Sequence, residues 1–309
     1  MLAFLFPGQG SQAVGMGKAF HDASPAARAV FEEADAALGF PLTRVMFGGP
    51  EAELALTTNT QPAVLTASVA AAAACAERGL VPALAAGHSL GEYSALVVAG
   101  ALPLADAVRV VRKRGEFMQD AVPVGTGAMA AIMGLPLDAV EAVCREAARG
   151  EVVDVANVNS AAQIVIAGHR AAVERAVALA GERGGKKSVM LPVSAPFHCA
   201  LMKPAVDRLA AELARVSVRD PRIPVVRNVD AGVTRAAADV VPFLLSQVAS
   251  PVRWTECVQR LVGEGATSFV EVGPGRVLTA LTRRIADGAR ALAVEDPDGL
   301  EKALAAVKG

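Results

Sequence analysis

Two glycines bracket a serine in Gly87-His88-Ser89-Leu90-Gly91, and this spacing is the first feature of the chain with chemical consequences. A G-x-S-x-G segment suits a sharp strand-to-helix turn in which neighbouring side chains leave no room for a Cβ. Such a turn lifts the serine hydroxyl to the mouth of a sheet, next to the free N–H groups of a helix N-terminus. The flanks agree, since Leu84-Ala85-Ala86 reads as a short buried strand and a helical pattern runs on from Glu92. A small-residue turn without chemistry is the alternative, and the strand-turn-helix context argues against it.

A serine hydroxyl is a weak nucleophile and needs a base. The chain has four histidines. His21 falls in a polar N-terminal helix region, His169 opens a helix, and His88 is pinned beside the serine, where adjacent side chains point apart. That leaves His198, in the proline-shaped loop Ser194-Ala195-Pro196-Phe197-His198-Cys199. Serine before histidine is also the chain order of α/β-hydrolases. No third member stands out among Asp106, Asp120, Asp138 and Asp154, and a backbone carbonyl can orient an imidazole instead. On the helix expected over 104–121, Leu104, Ala107, Val108, Val110, Val111, Phe117 and Met118 share one broad arc. Arg114 is the only charged residue inside that arc. A guanidinium on an apolar face needs a partner, and two fit it: an internal carboxylate, or the carboxylate of a substrate, which its planar fork suits bidentately.

The elements around these residues predict how they are positioned. LAFLF at 2–6 is a buried strand ending in a Pro-Gly turn, and 62–79 is an Ala-rich helix. The middle of the chain reads strand 128–134, helix 136–148, strand 152–158, an Asn-Ser turn, strand 163–168, helix 170–183 and strand 187–193. That order is the ferredoxin-like β-α-β-β-α-β unit. A helix near 203–216 follows, then a strand near 223–227, and a late strand at 268–272 ends in Gly273-Pro274-Gly275. The expected fold is therefore α/β. Residues 1–126 and 195–309 form an α/β-hydrolase-like catalytic domain with a mostly parallel sheet, and 127–194 form an inserted ferredoxin-like subdomain.

Composition narrows the function classes. The 309 residues can bury a full core, and the 53% hydrophobic content rules out a disordered chain. A formal charge of −1 offers no bulk field for nucleic acid or an anionic membrane. Cys75, Cys144, Cys199 and Cys257 are widely spaced, which predicts reduced thiols rather than a disulfide framework or a metal site. The N-terminus has no basic leader, and the apolar stretch 63–76 is shorter than the ~20 residues a bilayer requires. A soluble, cytoplasmic protein is expected. Gly8-Gln9-Gly10 lacks the remaining glycines of a dinucleotide fingerprint, so no nucleotide cofactor is expected.

Five segments occur together in order: Phe6-Pro7-Gly8-Gln9-Gly10-Ser11-Gln12, the Gly87–Glu92 elbow, Arg114-Gly115, Pro196-Phe197-His198 and Glu271-Val272-Gly273-Pro274-Gly275. In this arrangement the chain resembles, over nearly its whole length, the bacterial malonyl-CoA:acyl carrier protein transacylases of type II fatty acid synthesis. The resemblance implies ping-pong transfer of malonyl from coenzyme A to the phosphopantetheine thiol of an acidic acyl carrier protein, through malonyl-Ser89. It implies His198 as base, Arg114 as the receptor of the free malonyl carboxylate, and the backbone N–H groups of Gln9 and Leu90 as oxyanion hole. It further implies that the Gln247 main-chain carbonyl orients the imidazole, that Asn157 and Asn159 border the cleft, and that Phe197 bears on the choice of acyl group. No metal or other cofactor is implied, no nucleic-acid or membrane partner, and a monomer is expected. The runner-up reading is a serine thioesterase or esterase on the same elbow, and a non-enzymatic carrier-binding scaffold is a third.

Overall fold

The computed structural model describes residues 1–308. Among the described residues ten strands form two sheets: β1 Leu2–Phe6, β2 Leu84–Gly87, β3 Gly127–Met133, β4 Val153–Ser160, β5 Gln163–His169, β6 Lys187–Met190, β7 Val225–Val226, β8 Val233–Thr234, β9 Ser268–Val272 and β10 Arg290–Val294. The larger sheet has the order β10-β9-β1-β2-β7-β8 and is parallel except for its β7–β8 edge pair. The smaller sheet has the order β4-β5-β3-β6 and is antiparallel throughout. This is the α/β architecture with a mostly parallel sheet and a β-α-β-β-α-β unit that the sequence predicts.

Alternation along the strands explains why the larger sheet is covered on both faces. Phe4 and Phe6 of β1 enter one core with Val270 and Val272 of β9, while Ala3, Leu5 and Phe269 enter another. The first core lies under the helices Pro25–Leu38, Thr57–Glu77, Leu104–Asp120 and Lys203–Leu213. The second lies under Trp254–Gly263 and Val277–Ile285. Central strands buried on both faces read as unbroken apolar runs, as LAFLF does. A third core belongs to the smaller sheet and its helices Leu137–Ala148 and Arg170–Glu182. Among the described residues no helix is long and apolar enough to cross a membrane.

Several boundaries differ from the sequence expectation. The Ala-rich helix begins at Thr57, not residue 62, and carries Pro62 inside it. Proline there removes a donor to the carbonyl of Thr58, which Arg112 Nη1 reaches at 3.4 Å. The early start is tied to the preceding short helix Glu51–Leu54 by local bonds, from Thr60 Oγ1 to the Leu54 carbonyl and Asn59 Nδ2 to the Glu53 carbonyl. Asn159 and Ser160 are not a turn: β4 runs through Ser160, and the hairpin tip is Ala161-Ala162. The expected strand 187–193 stops at Met190, and the helix expected to 216 stops at Leu213.

In a parallel sheet, ligands bind beyond the carboxyl ends of the strands, where connections leave in opposite directions. Here that point is the end of β1, whose neighbours β2 and β9 are far apart in the chain.

Candidate active site

The elbow between β2 and the helix Leu90–Val98 is forced by close approach. A Cβ at Gly87 would lie 1.9 Å from the Gly91 carbonyl carbon, and one at Gly91 would lie 2.0 Å from the Phe6 carbonyl oxygen. Gly8 is needed for the same reason, since its Cβ would meet the His88 carbonyl oxygen at 2.6 Å. Only bare backbone lets the ends of β1 and β2 and the helix meet at one point. Ser89 sits at that point with φ 51° and ψ −108°, a conformation an L-residue holds only under constraint.

Ser89 Oγ and His198 Nε2 are 2.6 Å apart. His198 Nδ1 lies 3.0 Å from the Gln247 main-chain carbonyl. A carbonyl only accepts, so the proton belongs on Nδ1, and Nε2 presents its lone pair to the serine hydroxyl. Burial and then the positive charge of Arg114 hold the His198 pKa down at about 3, so the ring is neutral at ordinary pH and its Nε2 lone pair is free to accept a proton. His88 turns elsewhere: its Nε2 meets Asn159 Oδ1 at 2.9 Å and its ring packs against Trp254.

Arg114 is 2% exposed, on the apolar face where its spacing placed it. Its Nη1 donates to Gln61 Oε1 at 2.9 Å, and Nη2 donates to Gln247 Oε1 at 3.0 Å and Ser89 Oγ at 3.1 Å. All three acceptors are neutral, and among the described residues no carboxylate forms a salt bridge with it. The internal ion pair, one of the two sequence alternatives, is absent.

A cavity of about 500 Å³ gathers Gln9, Ser89, Leu90, Arg114, Asn157, Phe197 and His198, together with Gln61, Met118, Met129 and the wall 191–194. Among the described residues the backbone N–H groups of Gln9 and Leu90 have no hydrogen-bond partner, and Leu90 opens its helix. Gln247 stands one step behind, bonded to His198 and Arg114. Asn159 does not line the cavity and is bonded to His88. Cys199 donates to the Pro196 carbonyl, and burial pushes its thiol up to about 12, so it stays protonated.

Three residues of the site escape the sequence reading: Gln61, Asn228 and Glu92. Glu92 is buried among Leu90, Tyr93 and Leu96, and burial raises its carboxyl to about 7 against the opposing hydrogen bonds from Gln247 and Asn228. A charged residue on an apolar helix was the signal that exposed Arg114, and it applies equally to Glu92. Gln61 and Asn228 are uncharged and carry no such signal.

A serine bonded to a neutral imidazole, with spare N–H donors facing the same cavity, is equipment for acyl transfer through a covalent ester. The comparisons with known proteins agree. The family model for the acyl transferase domain matches residues 3–296. The malonyl CoA-acyl carrier protein transacylase of Escherichia coli K12 is 50% identical over 303 residues, covering 98% of each chain. The crystal structure of an acyl-carrier-protein S-malonyltransferase from Burkholderia pseudomallei superposes with TM-score 0.95 at 50% identity, covering 98% of this chain and 99% of the other. A structure of a type II PKS acyl-carrier protein in complex with its malonyl-transacylase matches with TM-score 0.96 at 46% identity, covering 99% of both chains. The chain belongs to the malonyl CoA-acyl carrier protein transacylases of the acyl transferase family.

Proposed function

We propose that this chain transfers the malonyl group of malonyl-CoA to the phosphopantetheine thiol of an acyl carrier protein in two half-reactions. In the first, Ser89 Oγ attacks the thioester carbonyl while its proton passes to His198 Nε2. The tetrahedral oxyanion accepts hydrogen bonds from the Gln9 and Leu90 N–H groups, each worth ~3 kcal/mol in sites of this kind. The intermediate collapses with cleavage of the C–S bond, and His198 returns the proton to the departing coenzyme A sulfur. The second half runs the same steps backwards, with the carrier thiol as nucleophile and the serine hydroxyl restored. Gln247 holds the imidazole in the required tautomer through its main-chain carbonyl. Asn157 and Phe197 shape the acyl pocket.

One observation carries the choice of substrate: a buried guanidinium without a carboxylate partner, 3.1 Å from the nucleophile. Leaving such a charge uncompensated is costly. An acyl group that brings its own carboxylate, as malonyl does, supplies the missing partner. Hydrolases on a similar elbow gain nothing from that arrangement. The related transacylase found with its carrier protein supports the acceptor. The same reading assigns catalysis to residues 1–126 and 195–309 and one wall of the acyl cleft to 127–194. It also places the protein in the cytoplasm, consistent with four free, buried cysteines, and has it act as a monomer, since one chain completes the cavity.

Intact-mass measurement after mixing with malonyl-CoA tests the covalent step. The wild-type chain gains one malonyl group and Ser89→Ala gains none. Acylation of Ser89→Ala would remove Ser89 as nucleophile. Faster release of the acyl group to water than to a pantetheine thiol would favour the hydrolase reading.

A further inference from the structure

Asn228 lies far from the elbow in sequence, yet it is fully buried against it. Its side-chain oxygen accepts from the Ser89 N–H at 2.7 Å, and its amide nitrogen donates to the Gly87 carbonyl at 2.7 Å. One amide therefore holds both ends of the tightest part of the turn. The two contacts also fix its orientation, since an N–H must face an oxygen and a carbonyl must face an NH2. The clasp is itself anchored. The Asn228 main-chain N–H donates to Glu92 Oε2 at 3.0 Å, and its carbonyl accepts from the Arg253 N–H at 2.9 Å.

The same Glu92 oxygen accepts from Gln247 Nε2 at 2.8 Å, and that nitrogen also donates to the Ser89 carbonyl at 3.0 Å. With its NH2 end taken by acceptors, Gln247 can present only its oxygen to Arg114. A reversed amide would set an NH2 group against a guanidinium. Thus Asn228 grips the nucleophile's backbone, while Glu92 decides which way the Gln247 amide faces.

We infer that Asn228 and Glu92 are positioning residues for the reaction: they hold Ser89 in its strained conformation and aim the Gln247 side chain so that Arg114 and the hydroxyl stay aligned. Neither touches the cavity, and both act through Ser89 and Gln247. The inference rests on Ser89 being the nucleophile, as proposed above. Strain at Ser89 has to be resisted by its surroundings, and the clasp supplies two hydrogen bonds within the turn itself. Relaxation of the turn by about 1 Å would move the hydroxyl away from His198 Nε2 and from the free N–H groups.

Acyl-enzyme formation, the kcat and KM of malonyl transfer and the melting temperature, measured on Asn228→Ala, Asn228→Asp, Glu92→Ala and Glu92→Gln, test this. Misplacement of reacting groups by about 1 Å costs roughly a hundredfold, and that loss is expected in the acylation rate of Asn228→Ala, with KM almost unchanged. Asn228→Asp keeps the acceptor for the Ser89 N–H but turns an oxygen toward the Gly87 carbonyl, so it falls between Asn228→Ala and the wild type. It also keeps the test open should Asn228→Ala fail to fold. Glu92→Gln retains an acceptor for Gln247 and recovers most of the rate that Glu92→Ala loses. A wild-type acylation rate in both Asn228 variants overturns the inference. So does a loss that appears only in KM or follows the unfolded fraction alone, and so does equal loss in the two Glu92 variants. Ser89→Ala, run alongside, separates this failure from failure of the nucleophile assignment.

Discussion

Two turns of the larger sheet share one plan and put it to different uses. After β2, a glycine-bounded turn leads into the helix Leu90–Val98, with Glu92 buried beside it. After β9, Gly273-Pro274-Gly275 leads into the helix Val277–Ile285, with Glu271 buried beside it. At the second turn the carboxylate caps its helix: Glu271 accepts from the Leu278 N–H at 3.0 Å and the Thr279 N–H at 2.7 Å. At the first turn the carboxylate faces Asn228 and Gln247, and the Leu90 N–H is left facing the cavity. Every helix N-terminus has spare donors. A reactive site arises where the protein declines to fill them and a nucleophile stands alongside.

The strongest way to break this contrast is to add a methyl group to each turn. Gly91→Ala drives a Cβ to 2.0 Å from the Phe6 carbonyl oxygen, backbone against backbone in the core. The helix has to leave the sheet, and a loss of about 4 kcal/mol or more is expected, the size reserved for gross core disruption. Gly275→Ala keeps its nearest neighbour at 3.5 Å and pays only for its φ of +82°, about 1–2 kcal/mol. Denaturant titration of the two variants measures the difference. Equal stabilities would mean that the elbow glycines are not held by close approach.

Arg114→Ala sharpens the contrast electrically. A charge-assisted hydrogen bond is worth about 1.5–3 kcal/mol, so kcat/KM for malonyl transfer is expected to fall by roughly ten- to a hundredfold while acetyl transfer is kept. Equal loss on both donors would instead make Arg114 structural. The pH profile carries a second reading. Burial and then Arg114 depress the His198 pKa to about 3, so the wild-type rate holds well below the 6.5 of an ordinary histidine. Without the guanidinium one depressing cause is gone, and the acid limb moves to higher pH. The sign for stability follows from the same shift. The folded state resists a proton that the unfolded chain accepts, so His198 costs stability as pH falls from about 6.5 toward 3.

How much was legible in the sequence depended on range. Ser89 and its glycines are local: a strand, a turn and a helix start within a few residues, and their spacing alone carries the geometry. Arg114 was legible because helical periodicity exposes a charge on the wrong face. Its partner was not, since the sequence left both an internal carboxylate and a substrate carboxylate open, with the internal pair the commoner outcome, and only the neutral acceptors bonded to the guanidinium removed it. His198 came by elimination, and Gln247 through family resemblance alone, because a main-chain carbonyl has no side-chain signature. Asn228 and Gln61 are uncharged amides brought in from distant segments, and no local pattern marks them. Boundaries shifted where side-chain bonds to the preceding helix extended an element, as in Thr57-Thr58-Asn59-Thr60, which lies before the expected helix over 62–79 and is the start of a long helix.

The smallest effect is expected at the filled turn. Glu271→Ala removes the acceptor of two buried N–H groups without touching the cavity. Loss of a helix cap costs about 0.5–2 kcal/mol, and at the filled turn that loss falls on the melting temperature while the acylation rate of Ser89 is unchanged. Glu271 also has its carboxyl raised by burial. Its raised folded-state pKa means that the cost of ionising it inside the fold is absent below about 4.5 and grows as pH rises from there. The gap in stability between the wild type and Glu271→Ala should therefore narrow at higher pH, which thermal melts across the pH range detect. A fall in acylation rate matching that of the Asn228 variants would show that the two turns are mechanically coupled, and that the filled one also serves the open one.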